Sequence, residues 1–80
     1  MPTVIRKNGF QVFIYTEDHL PMHVHIFKAE GELIVNIGDK LADVSIREYR
    51  GMRRSDRRLA LSLVAENLIV LVEKWKEIHG

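Results

Sequence analysis

The chain contains no cysteine, only two prolines and five glycines, and a single tryptophan. Without cysteine there is neither a disulfide nor a thiolate metal site, and the composition suits a reducing compartment. The longest uninterrupted apolar run, Leu68 to Val72, falls far short of the roughly 20 residues that cross a bilayer. The opening stretch Met1 to Arg6 lacks the apolar segment of a secretion signal. We therefore expect a soluble, cytoplasmic protein with no membrane partner. Zinc-finger spacing, a ribonucleoprotein motif and a glycine-rich phosphate loop are also missing.

What is present is enough apolar residue, 46%, to fill a core, with 29% charged residues to keep the surface wet. Eighty residues predict one domain over 1–80. A core of that size stabilises a chain only marginally, and self-association often supplies the remainder. A homo-oligomer or a small protein partner is the expectation.

The first half alternates apolar and polar residues, the period of a half-buried strand. Lys7-Asn8-Gly9 is a hairpin signal. Phe10 to Thr16 reads as a strand with Phe10, Val12 and Ile14 on one face and Gln11, Phe13 and Tyr15 on the other. After a loop over Glu17 to Pro21, Met22 to Lys28 reads as a second such strand. Its Met22, Val24 and Ile26 oppose His23, His25 and Phe27. Ala29-Glu30-Gly31 and Gly38-Asp39-Lys40 are turns that bound a strand over Glu32 to Ile37, and Leu41 to Ile46 is a weaker strand.

From about residue 55 to 78 the period becomes helical. Ser55 is the predicted N-cap, Asp56 lies in the first turn and Gly80 is the stop. Leu61, Val64, Ala65, Leu68, Leu71, Val72 and Trp75 form the expected core stripe. One helix of that span is about 35 Å long at about 1.5 Å per residue. Leu59, Leu63, Ile69 and Val70 lie off the stripe. Either a second subunit or another protein covers them, or a strongly curled sheet wraps the helix. The predicted fold is α+β: an antiparallel meander of four to five strands over residues 3–46, a connection over 47–54, and one long C-terminal helix on the sheet.

Two clusters carry chemistry. His19, His23 and His25 fall within seven residues, and alternation puts the rings of His23 and His25 on one face. Neutral imidazole binds zinc, nickel or copper, so His19, His23 and His25 are candidate ligands for a divalent transition metal such as zinc or nickel. A carboxylate such as Asp18 is an alternative third ligand. Without a metal, His23 and His25 are candidate catalytic groups that share acid and base roles in phosphodiester cleavage. The plainer alternative is that both simply hydrogen-bond neighbouring strands or the terminal helix.

The second cluster is arginine: Arg47, Arg50, Arg53, Arg54, Arg57 and Arg58, opposed locally only by Glu48 and Asp56. Arg53, Arg54, Arg57 and Arg58 surround a helix start, where the backbone already carries partial positive charge. They are candidate anion-binding residues for RNA, DNA or an acidic protein segment. The alternative is a solvated face offset by nearby carboxylates. Pro2 as a catalytic N-terminal amine is disfavoured, because Met1 precedes it and a strand follows. Trp75 is expected in the core. Asn67 would bond a sheet backbone or a histidine ring, and Tyr15 would orient His23 or His25.

The opening Met1-Pro2-Thr3-Val4, the aromatic strand with Phe10, Phe13 and Tyr15, Pro21-Met22-His23-Val24-His25, and Glu66-Asn67 with Glu73-Lys74-Trp75 resemble a small prokaryotic family, domain of unknown function 4160. The usual family pattern reads Pro-Pro-His-x-His. Here Met22 stands at the second proline and His19 precedes the motif. The resemblance implies a short stand-alone protein and no particular biochemical activity. It further implies a toxin–antitoxin-like pairing with another small protein. Together these readings favour a small interaction module that meets an acidic protein or nucleic acid. The alternative is a small histidine-dependent, metal-assisted ribonuclease or hydrolase.

Overall fold

The computed structural model describes residues 3–79, with the side chain of Thr3 left aside. Pro2, considered above as an amine base, and Gly80, read as the helix stop, lie outside the described residues. Five strands follow one another: β1 (Thr3–Lys7), β2 (Phe10–Phe13), β3 (His23–Lys28), β4 (Gly31–Asn36) and β5 (Ser45–Arg50). They form one antiparallel sheet in sequence order, so the meander is as expected, with five strands.

The β1–β2 hairpin closes through Asn8 and Gly9, both at positive φ (52° and 83°), with Lys7 opposite Phe10. This is the primed turn that Asn-Gly favours, because its twist matches that of the flanking strands. The period-2 alternation then sets the faces. Val12 pairs with Ile26, Val24 with Val35 and Ile26 with Leu33, and all are fully buried. The opposite face carries Phe13 opposite His25, His25 opposite Ile34, and His23 opposite Asn36.

The fifth strand lies later than expected. Leu41–Asp43 is a short 3-10 turn, and the strand runs from Ser45 to Arg50, into the stretch read as connection. The Lys40 amide donates to Asp43 Oδ2, and the Val44 amide donates to Leu41 O, which curls the chain before it can pair. Arg47 and Arg50 then reach across to Asn36 and Glu32 on β4. The remaining connection is the turn over residues 51–53, pinned by buried Met52.

The single long helix is also corrected, because there are two: α1 (Arg54–Glu66) and α2 (Leu68–His79). Asn67 interrupts them, with φ −118° and ψ 19°. Its side-chain Nδ2 donates to Leu63 O at 2.8 Å, while its backbone N–H turns to Val64 O at 3.1 Å. The side chain thus takes the carbonyl that the amide would use in an unbroken helix. Arg53, not Ser55, occupies the N-cap of α1, without a side-chain cap bond.

The buried stripe continues across the break: Ala60, Leu63 and Val64 on α1, then Leu68, Leu71, Val72 and Trp75 on α2. On α1 it is rotated from the expected one, since Ala65 is exposed and Leu61 only partly covered. The break resets the phase, so one periodic template does not fit both helices. The sheet does not wrap the outer side. Leu59, Ile69 and Val70 are 57%, 76% and 46% exposed. No helix among the described residues is long and apolar enough to cross a membrane.

Candidate functional site

His23 and His25 stand at the start of β3, where the β2 ladder has stopped: Phe13 opposite His25 is its last pair. Beyond that point the chain leaves the sheet and turns at Tyr15 to Asp18. The Asp18 amide donates to Tyr15 O, and the Tyr15 amide donates back to Asp18 Oδ2, both at 3.1 Å. That reciprocal pair fixes the carboxylate and aims Oδ1 at the histidines. Asp18 Oδ1 lies 3.2 Å from His25 Nε2 and 3.4 Å from His23 Nε2.

The side chains of His23, His25 and Asp18 are 6%, 13% and 12% exposed. His23 Nδ1 donates to Pro21 O at 2.9 Å, which a carbonyl permits only if that nitrogen carries the proton. His25 Nδ1 is buried without a hydrogen-bond partner, 3.8 Å from Glu32 Oε2. Burial pushes the Asp18 carboxyl upward. The Tyr15 amide, the His25 hydrogen bond and the charges of His25 and His23 outweigh it and hold the group below its ordinary value. Burial, with help from Glu32 and Asp18, raises the Tyr15 phenol, so it stays neutral near pH 7.

Aromatic rings close the site. The edge-on ring of Tyr15 sits 4.5 Å from that of His25, and Trp75 sits 5.4 Å from His23. Tyr15 therefore contributes a packing edge and backbone groups. His79 stacks on Trp75 at 3.9 Å and places one ring nitrogen 3.1 Å from Tyr15 O and the other 3.1 Å from Trp75 O. The end of α2 is thereby tied to the turn that holds Asp18.

Of the sequence candidates, the structure brings His23 and His25 together and leaves His19 exposed, away from the compact group. Asp18 takes the third place: one donor atom from each of Asp18, His23 and His25 lies within 4.8 Å of the others. Asn67 bonds neither a strand nor a histidine, being spent on Leu63 O. Sequence reasoning did not single out Glu32 or His79. Glu32 had a signal: Lys28 opposite Gly31 across a two-residue turn pairs it with Phe27 on the histidine face, two pairs along from His25. His79 had none, since a histidine in the last turn of a helix is unremarkable on sequence.

The arginines divide into two groups. Arg47 bonds Asn36 and Pro21 O, and Arg50 pairs with Glu32. Arg53 pairs with Asp56, while Arg57 donates to Met52 O and lies over the Tyr49 ring at 3.9 Å. Asp56 also takes Lys28 Nζ at 3.0 Å, so a carboxylate does answer the positive start of α1. Arg54 and Arg58 form no ion pair among the described residues. They line an open depression with Ser55, Leu59 and Ser62.

Comparison with known proteins gives one family: the model of a domain of unknown function (DUF4160) matches residues 9–76. No curated protein and no solved structure matches the chain.

Proposed function

We propose an interaction module, starting from the fact that the chain belongs to the family of a domain of unknown function (DUF4160). Its partner is an acidic protein segment added along β5. The observation that carries this is the strand itself: β5 is a sheet edge, and all six of its residues are exposed. An edge strand offers unpaired backbone groups to an extended segment, and side chains on alternate positions supply selectivity. Ile46 and Tyr49 are exposed apolar anchors there. The turn over 51–53 leads directly to Arg54 and Arg58, which meet no carboxylate among the described residues and can pair with those of a partner.

Protein is favoured over nucleic acid because an open strand edge pairs with an extended polypeptide backbone, which a nucleic acid does not offer. In this reading the partner is the second member of a toxin–antitoxin-like pair in the cytoplasm. Histidine-dependent cleavage has less support. The rings of His23 and His25 are largely buried, and the depression beside Arg54 and Arg58 does not include them.

The test is fluorescence anisotropy with a labelled peptide of alternating Glu and Val, beside single-stranded RNA of equal length. The peptide should bind, more weakly with added salt, and at least tenfold more weakly to R54E/R58E. Binding of RNA alone would transfer the surface to nucleic acid. No binding of either, or a dimer that buries β5 against a second copy, would overturn the proposal.

A further inference from the structure

The ring nitrogens of the histidine pair constrain what lies between them. With both histidines neutral, Pro21 O fixes the proton of His23 on Nδ1, and its Nε2 carries a lone pair. That lone pair stands 3.4 Å from Asp18 Oδ1, another electron-rich atom. His25 has the opposite difficulty. Its Nε2 donates to the same oxygen at 3.2 Å, which leaves Nδ1 bare, buried and unpartnered beside the Glu32 carboxylate. A bare nitrogen aimed at a carboxylate, and a buried nitrogen with no partner, are each unfavourable.

One event removes both defects. A cation bound by both Nε2 atoms and Asp18 Oδ1 fills the gap at His23. It also moves the His25 proton to Nδ1, where Glu32 Oε2 is 3.8 Å away and within reach of a small rotation. Each ring is then held as metal-ligating histidines usually are, with the remote N–H on a carbonyl or a carboxylate.

We propose that Asp18, His23 and His25 form a binding site for a divalent transition ion of the zinc class, with Pro21 O and Glu32 orienting the rings. The two nitrogen–oxygen spacings suit the ion, and all three ligand atoms lie within 4.8 Å of one another. Metal–ligand bonds of about 2.0–2.1 Å put neighbouring ligand atoms about 3.4 Å apart in a tetrahedron and about 2.9 Å apart in an octahedron. The two nitrogen–oxygen separations, 3.2 and 3.4 Å, lie near the tetrahedral value. Three protein ligands leave the fourth position to water or a small ligand. None of the three ligands lies on β5, although Arg47 and Arg50 of that strand reach the orienting groups Pro21 O and Glu32; binding of the ion does not require the partner proposed above.

The experiment is calorimetric titration of untagged, chelator-stripped protein with zinc chloride, with the melting midpoint followed in parallel. The wild type should take up one ion per chain, and its midpoint should rise with zinc. Asp18→Asn and His25→Ala should weaken binding at least a hundredfold and abolish the rise. Glu32→Gln, which leaves all three ligands in place, should weaken it roughly 10–100-fold. His19→Ala should change nothing. His23 packs against Trp75, so its replacement risks the fold, and the other variants carry the test, each checked by circular dichroism. No saturable binding would overturn the proposal and leave proton-bridged contacts. Binding that survives D18N and H25A, or is lost in H19A, would overturn it too.

Discussion

The corner that joins β5 to α1 rests on a close approach that one added methyl group should break. A Cβ built on Gly31 would lie 2.7 Å from Gly51 O and 3.0 Å from the Cα of Met52. Both are backbone atoms, so no rotamer change relieves the clash. Either β4 or the turn over 51–53 must move. Overpacking of this kind costs about 1–3 kcal/mol. A chain of 80 residues has roughly 4–12 kcal/mol of stability in total. Gly31→Ala should therefore stay folded at 25 °C and melt roughly 5–20 °C lower, at about 4–8 °C per kcal/mol. Gly51 supplies the comparison. It has φ +66°, but an added Cβ would make only ordinary van der Waals contact, the nearest atom, Glu30 O, being 3.6 Å away. Gly51→Ala meets only the left-handed backbone penalty of about 1 kcal/mol, and Gly51→Asn less still. Thermal melts followed by Trp75 fluorescence and by far-ultraviolet circular dichroism give the ranking. A Gly31→Ala protein that melts with the wild type, or above Gly51→Ala, would refute the reasoning.

Replacing Leu33, fully buried on β4, by Ala should cost about 2–5 kcal/mol, read as a fall in the urea midpoint. A cost under 1 kcal/mol would mean that the sheet does not pack on the helices as described. Asp56 is held below its ordinary value chiefly by the hydrogen bond from Lys28, against an opposing burial effect and with help from the charges of Lys28 and Arg53. A depressed carboxylate stabilises above its unfolded value, and that contribution disappears as pH falls through the folded value. The advantage of wild type over Lys28→Met should thus shrink below about pH 4, and an advantage equal at pH 7 and pH 3 would contradict this. Asn67→Ala trades one hydrogen bond for better helix propensity, each worth about 1 kcal/mol. Its midpoint should move little while helical circular dichroism rises, and a large loss of stability would show that the interruption is required for packing.

Much of the sheet was legible because alternation and turn chemistry agreed. Asn8-Gly9 fixed the first hairpin, and the opposed faces of Phe10 to Ile14 and of Met22 to Phe27 follow from a period of 2. The β5 strand was less legible because its stabilising partners are remote. Arg47 and Arg50 read as a charged linker until Asn36 and Glu32 on β4 are seen beside them. The helix break depends on one side chain choosing a carbonyl, and a periodic pattern carries no record of that choice. The histidine face was visible as His-x-His, but its third member was not fixed. Asp18 joins because a reciprocal turn with Tyr15 points its carboxylate inward, while His19, one residue on, faces solvent. The arginine cluster was visible as composition. Only the folded arrangement separates Arg54 and Arg58 from the four arginines that hold the fold.

The central claim is that the chain works through the open edge of β5. Hydrogen–deuterium exchange, with and without the acidic strand peptide, tests it most directly. The account predicts slower exchange of amides within residues 45–50 in the complex, with the buried strands unchanged. Protection confined to the outer helix surface around Leu59, Ile69 and Val70, or no protection at saturating peptide, would contradict it.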